Sequence, residues 1–192
     1  MEKIATGPQG RGVVDLDRSP TENLAALAQA KGSRVEDLTV VILDRPRHSR
    51  LIEEVRRAGA RIQLLTDGDL AAAMATADPK TGIDVVLGVG GAAQGVLAAG
   101  ALLCLGGEFQ GRFRPMTGDE MSALAATGIE DPGRRFSAED LVGADVMMAA
   151  TGVTSGHLLR GVEFHRGGAT TRSVVVRSRS GTVRWMEAQH RF

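Results

Sequence analysis

The stretch IDVVLGVGGAAQG, residues 83–95, constrains the fold more than any other part of the chain. It sets a continuous apolar, β-branched run of strand length against a glycine turn, and the turn against an alanine- and leucine-rich segment reaching about residue 105. An apolar run without polar alternation fits a strand covered on both faces, as in a parallel sheet whose crossovers are helices. The same rhythm precedes it. LTVVILD (residues 38–44) reads as a buried strand, HSRLIEEVRRAG as an amphipathic helix stopped by Gly59, RIQLL (61–65) as a second strand and DGDLAAAMATA as a short helix. Upstream, Ser19, Pro20 and Glu22 compose a capping box ahead of NLAALAQAK, with Gly32 as the stop. Strand–helix alternation with short connections predicts an α/β fold, a mostly parallel sheet with flanking helices.

Downstream the pattern loosens. Residues 118–127 and 137–142 read as helical, the second with a Ser137/Asp140 capping pair, and ADVMMAATG (144–152) reads as a fourth apolar strand. TRSVVVRSRSGTVRWMEAQH reads as two strands joined by a Ser-Gly turn, a C-terminal antiparallel hairpin. With no internal repeat or linker, residues 1–192 read as a single α/β domain. A hydrophobic content of 43% supports a real core, and 25 glycines suit tight turns at ligand-facing loops. The 23 basic and 23 acidic residues cancel, which removes the electrostatic footprint of a nucleic-acid or anionic-membrane binder. No apolar run reaches membrane-spanning length, and MEKIATGPQG lacks the apolar core of a signal peptide, so the cytoplasm is the default compartment. The lone Cys104, inside an apolar helical run, reads as a buried thiol.

In open parallel sheets ligands bind beyond the carboxyl ends of the strands. Those ends read Asp44-Arg45-Pro46-Arg47-His48, Asp67-Gly68-Asp69, Gly88-Val89-Gly90-Gly91 and Ala150 to Gly156. Arg45 and Arg47, held by an intervening proline, can converge on one phosphate or carboxylate, or stand as two solvated arginines. Asp67 and Asp69 can accept hydrogen bonds from sugar hydroxyls or hold a divalent cation; the alternative for Asp69 is a helix cap. His48 reads as a helix-start residue without a catalytic role. His157, His165 and His190 lack metal-ligand spacing, so zinc is not expected. Gly88, Gly90 and Ala93 satisfy a loose dinucleotide fingerprint, and Glu108 lies twenty residues past Gly88. No clear second strand presents that glutamate, so a dinucleotide-binding domain is a minor alternative.

Taken together, MEKIATGP, LTVVILDRPRH, DGDLAAA, GIDVVLGVGG, ATGVTSG, GGATTRSVVVRS and SGTVRWMEAQHR resemble, in order, the C-terminal half of the class II fructose-1,6-bisphosphatases. Several of these enzymes also accept sedoheptulose 1,7-bisphosphate. The resemblance implies the layered, metal-dependent, lithium-sensitive sugar-phosphatase fold. It implies that Arg45, Pro46 and Arg47 grip the phosphate remote from the cleaved one. Asp67, Gly68 and Asp69 would face the sugar hydroxyls, and Gly91 would give a backbone contact to substrate. Two departures stand out. The family's Asp-Pro-Leu-Glu-Gly-Thr metal motif has no counterpart, because Asp-Pro occurs only before Lys80 and before Gly133. At the third turn the family's Gly-Gly-Ala-Pro-Glu-Gly becomes Gly90-Gly91-Ala92-Ala93-Gln94-Gly95, with Gln94 where a glutamate ligates Mn²⁺ or Mg²⁺.

The expectation is therefore the substrate-binding half of a metal-dependent phosphatase, inactive as an isolated chain. Its partners would be a sugar bisphosphate and either a second copy or an N-terminal half. A non-catalytic phosphosugar- or partner-binding fragment is the alternative.

Overall fold

The computed structural model describes residues 1–115, 117–143 and 145–192. In chain order the first elements are β1 (Glu2–Thr6), α1 (Pro20–Lys31), β2 (Thr39–Leu43), α2 (Ser49–Ala58), β3 (Arg61–Leu65), α3 (Asp69–Ala75), β4 (Val85–Val89) and α4 (Ala92–Leu105). They are followed by β5 (Glu108–Arg112), α5 (Gly118–Ala126), β6 (Phe136–Ser137), α6 (Ala138–Val142), β7 (Met147–Thr151), β8 (Glu163–His165), β9 (Gly168–Arg177) and β10 (Thr182–Arg191). Local chemistry sets the boundaries as read from sequence. Ser19 accepts from the Glu22 amide, and Glu22 returns a bond to the Ser19 amide at 2.8 Å, so both orphan donors at the start of α1 are satisfied.

The first sheet has the order β3-β2-β4-β1-β5-β6. Strands β2, β3, β4 and β5 share one direction, while β1 and β6 run against them. Val40 and Ile42 pack on one side with Leu24 and Leu27 of α1 and Val55 of α2. Val41 and Val86 face the other side with Ala72 and Ala73 of α3 and Ala98, Ala99 and Leu102 of α4. A central strand buried on both faces must be apolar throughout, which is why the run shows no alternation. Strands β1 and β5 were not foreseen. β1 lies between β4 and β5, with Ile4 opposite both Leu87 and Gln110.

The fourth apolar strand does exist, at Met147–Thr151; Ala144, where it was expected to begin, lies outside the described residues. It does not extend the first sheet. It pairs antiparallel with β9 in a second sheet of β10, β9, β7 and β8, which includes the expected C-terminal hairpin. The reason lies in α4, which is apolar nearly all round. Its Ala98 and Ala99 meet the first sheet, while Ala101 and the buried Cys104 meet Val174 and Val176 of the second. Helices α3 and α4 are thus sandwiched between two sheets, and α1 and α2 cover the outer face of the first. Burial pushes the Cys104 thiol pKa up, as expected for an inert core cysteine.

Candidate functional site

Strand β2 releases the chain into Asp44 and Arg45, and Pro46–His48 make one turn of 3-10 helix leading into α2. The turn sends the two arginines to opposite sides. Arg45 donates to the carbonyls of Asp44 (2.8 Å) and Thr66 (2.7 Å), toward the end of β3. Arg47 donates through Nε and one Nη to the Val89 carbonyl at 2.9 and 2.8 Å, at the end of β4. Each guanidinium keeps further N–H donors for an anion. Arg47 also borders a broad opening of about 720 Å³ that it shares with Val89, Glu2, Phe113, Arg114 and Met121.

His48 lies between these two arms and is only 2% exposed. The Val89 amide donates to its Nε2 at 2.8 Å, and Nδ1 lies 2.7 Å from the Leu43 carbonyl. Those partners assign the neutral ring with its proton on Nδ1. The ring ties the end of β2 to the end of β4, and Gly88 makes room for it. Gly88 has a φ of +141°, and a Cβ there would lie 3.0 Å from Nε2. The histidine is structural glue at the helix start, in agreement with its sequence reading.

The acidic pair separates in the same way as the arginines. Asp67 is exposed and accepts from the Gly68 amide at 2.8 Å, which leaves its second oxygen open to solvent. Asp69, the first residue of α3, does not cap its helix. It is 3% exposed and paired at 2.5 Å with Lys3 of β1, itself 4% exposed, and its Oδ1 has no hydrogen-bond partner. Gly90 lies on this pair, since a Cβ there would fall 3.0 Å from Asp69 Oδ2 and 3.1 Å from Lys3 Nζ. Lys3 escaped the sequence reading, although a signal existed. It shares with Ala5 the face of β1 that meets α3 and α4, and a lysine buried there requires a counter-charge.

Gly91 ends the turn as N-cap of α4 and is exposed. The Oε1 of Gln94, also exposed, lies 3.1 Å from where a Gly91 Cβ would stand, so the side chain folds back over the turn. Among the described residues no group of three or more His, Cys, Asp or Glu is placed to hold a metal ion. Gln94 offers one neutral oxygen, and the described residues do not by themselves fit a divalent metal centre. Glu108 opens β5, correcting the expectation that no strand presents it. It pairs with Thr6 at the opposite end of the sheet from Gly88 and accepts from the Gly12 amide and Gln110, so it cannot complete a dinucleotide fingerprint. The fourth strand end, at Thr151 to Gly156, belongs to the second sheet.

Arginines, an open carboxylate and a glycine turn thus meet at adjacent strand ends of a layered α/β fold, offering N–H donors to an anion and an acceptor oxygen to a hydroxyl. Residues 1–190 match the model of a family described as bacterial fructose-1,6-bisphosphatase, glpX-encoded, and the chain belongs to that family. It is 43% identical to the D-fructose 1,6-bisphosphatase class 2/sedoheptulose 1,7-bisphosphatase of Synechococcus sp. (strain JA-3-3Ab), covering 99% of this chain and 58% of that protein. The like-named protein of Synechocystis sp. (strain ATCC 27184 / PCC 6803 / Kazusa) is 41% identical over 99% of this chain and 59% of its own length. The chain thus spans a little under three fifths of the curated relatives it matches. No helix among the described residues is long and apolar enough to cross a membrane.

Proposed function

We propose that this chain is the substrate-holding portion of a metal-dependent phosphatase that removes the 1-phosphate of fructose 1,6-bisphosphate or sedoheptulose 1,7-bisphosphate. The observation that carries the reading is the strand-end array of Arg45, Arg47, Asp67 and Gly91 in a chain of this family. In that hydrolysis a water oxygen joins phosphorus, the ester P–O bond breaks, and the sugar oxygen leaves with a proton. The residues described supply neither the attacking water nor its base in this reading. Their work is binding and orientation. Arg47 holds the remote phosphate from the end of β4, and Arg45, across the Pro46 turn, borders the sugar side near β3. Asp67 and the Gly68-Asp69 turn hold the sugar, and the Gly91 backbone lets it approach. Fixing the remote end of a substrate orients the reacting end. Mn²⁺ or Mg²⁺ chemistry would come from residues outside this chain, with Gln94 as its sole contribution.

Calorimetry with fructose 6-phosphate tests the reading. Losing charged hydrogen bonds from Arg47→Ala should weaken binding by about 1.5–3 kcal/mol, roughly 10- to 150-fold. Asp67→Asn should weaken it less, because one acceptor oxygen survives. Equal affinity in wild type and both variants would leave the strand ends without this role.

A second reading, a non-catalytic piece that docks on another chain, draws on the second sheet. Its edge strand β10 is open on one side, and Trp185 (54% exposed), Met186, Met147 and Phe164 are apolar and exposed. Open edges and exposed apolar side chains of this kind attract a covering chain. A second copy, or the part of the relatives that this chain does not match, would serve. Trp185 is the single tryptophan, so docking should shift its emission to the blue as concentration rises, together with a larger sedimentation coefficient. Constant emission and a monomer at every concentration would remove self-association.

A further inference from the structure

A cavity of about 320 Å³ opens between α1 and α2 at the strand ends, on the face away from α3 and α4. Arg18, Arg47 and Arg50 line it, and its apolar wall includes Leu16, Leu51 and Leu87. None of the three arginines has an ion-pair partner among the described residues. Arg18 reaches only the Val13 carbonyl at 3.3 Å, and Arg47 only that of Val89. Of the two carboxylates that line it, Glu2 is ion-paired elsewhere, while Glu54 keeps its charge and accepts only from neutral groups. Glu2 is paired with Arg114 at 2.8 Å and lies 3.8 Å from Arg112, while Glu54 accepts from the amide and hydroxyl of Thr21. The buried polar groups that touch the space are internally satisfied, Lys3 by its ion pair with Asp69. Asn23 accepts from the Asp15 amide and donates to the carbonyls of Asp15, Arg18 and Ser19, and both His48 nitrogens are engaged. What the cavity offers a ligand is therefore guanidinium donors above an aliphatic wall.

We propose that this cavity is a binding site for a phosphate monoester with an apolar body, separate from the sugar-facing loops. Three arginines without ion pairs against one unpaired carboxylate, Glu54, leave the lining with an excess of positive charge that an anion would offset, and planar guanidinium forks match phosphate oxygens in pairs. The volume lies at the lower end of small-molecule sites, enough for a monophosphate ester and too little for a dinucleotide. Asp67, Asp69, Gly91 and Gln94 do not line it; Glu2, Arg47 and Val89 border both openings. An anion drawing Arg47 off the Val89 carbonyl would change the end of β4, so the two sites are coupled through Arg47 and the strand end it holds.

The probe is phenyl phosphate, titrated calorimetrically into the whole chain at low ionic strength. Arg18→Ala/Arg50→Ala replaces two exposed side chains, and circular dichroism confirms the fold. The expected result is a wild-type affinity for phenyl phosphate tighter than for inorganic phosphate, weakened at least tenfold by the double variant and unchanged by Asp67→Asn. Absence of wild-type binding, equal affinity in the double variant, or an equal loss in Asp67→Asn would each overturn the proposal. The sugar-loop reading is tested apart from this one, by the response of fructose 6-phosphate binding to Asp67→Asn.

Discussion

Lys3→Met is expected to destabilise the domain by about 3–5 kcal/mol, while Lys3→Met/Asp69→Leu should recover most of that loss. The single change leaves the Asp69 carboxylate 3% exposed, with Oδ1 already lacking a partner and Oδ2 losing its only ammonium. An uncompensated buried charge is what makes breaking such a pair costly, whereas removing both charges spares both desolvation penalties. Urea midpoints at unchanged slope provide the measurement. Against a typical domain stability of about 5–15 kcal/mol the single change takes a large share. A loss below about 1 kcal/mol would place the pair in the class of solvated surface bridges instead. Because Gly90 rests on this pair, the double variant should also bind fructose 6-phosphate less well while remaining folded, which would connect the buried charges to the loop that carries Gly91.

What the sequence revealed and what it hid divide along physical lines. Val40, Val41 and Ile42 announced a strand covered on both faces because the two cores demand apolar residues on both. Ser19, Pro20 and Glu22 announced a helix start because capping is settled within four residues. Strand β1 was hidden because Lys3 interrupts its apolar run, and the group that makes that lysine tolerable is 66 positions away. Strand β5 was hidden by Gln110, buried because it bonds the backbone of Leu16 and Val14 across the fold. Residues 147–151 showed their strand character but not their sheet, since sheet membership is decided by which face of α4 remains to be covered. AAQGVLAAGALLCL carried that information: a helix apolar all round has to be enclosed on every side.

The candidate site shows the same split. The rule that ligands gather at the carboxyl ends of strands singled out Arg45, Arg47, Asp67 and Gly91, and the structure places them at three adjacent strand ends. It gave Asp67 and Asp69 one ligand-facing role, with a helix cap as the alternative for Asp69, and geometry separates them differently, one open to solvent and one locked to Lys3. Pro46 does keep Arg45 extended, yet the turn that follows aims the two guanidinium groups at different strand ends. Side-chain direction after a tight turn depends on carbonyls such as those of Thr66 and Val89, which no local pattern names.

Hydrolysis of fructose 1,6-bisphosphate should be absent from the isolated chain with Mn²⁺ or Mg²⁺ present, and should appear when the chain is joined to the portion of a cyanobacterial relative that it does not match. In the joined protein Gln94→Glu is expected to tighten Mn²⁺ binding roughly tenfold or more. Altering even an outer partner of a metal ligand shifts affinity about 10- to 100-fold, and a direct carboxylate in place of a neutral amide should count for no less. The geometry allows the exchange, because Gln94 is exposed in the first turn of α4 with its oxygen already turned toward Gly91. A glutamate there is also favourable to the helix itself, which places negative charge at its N-terminal end. Thermal stability is for that reason the wrong readout, and a direct Mn²⁺ titration is the right one. Unchanged affinity in Gln94→Glu would mean that this side chain does not face the metal. Robust turnover by the isolated chain would mean that the described residues do more than hold the substrate.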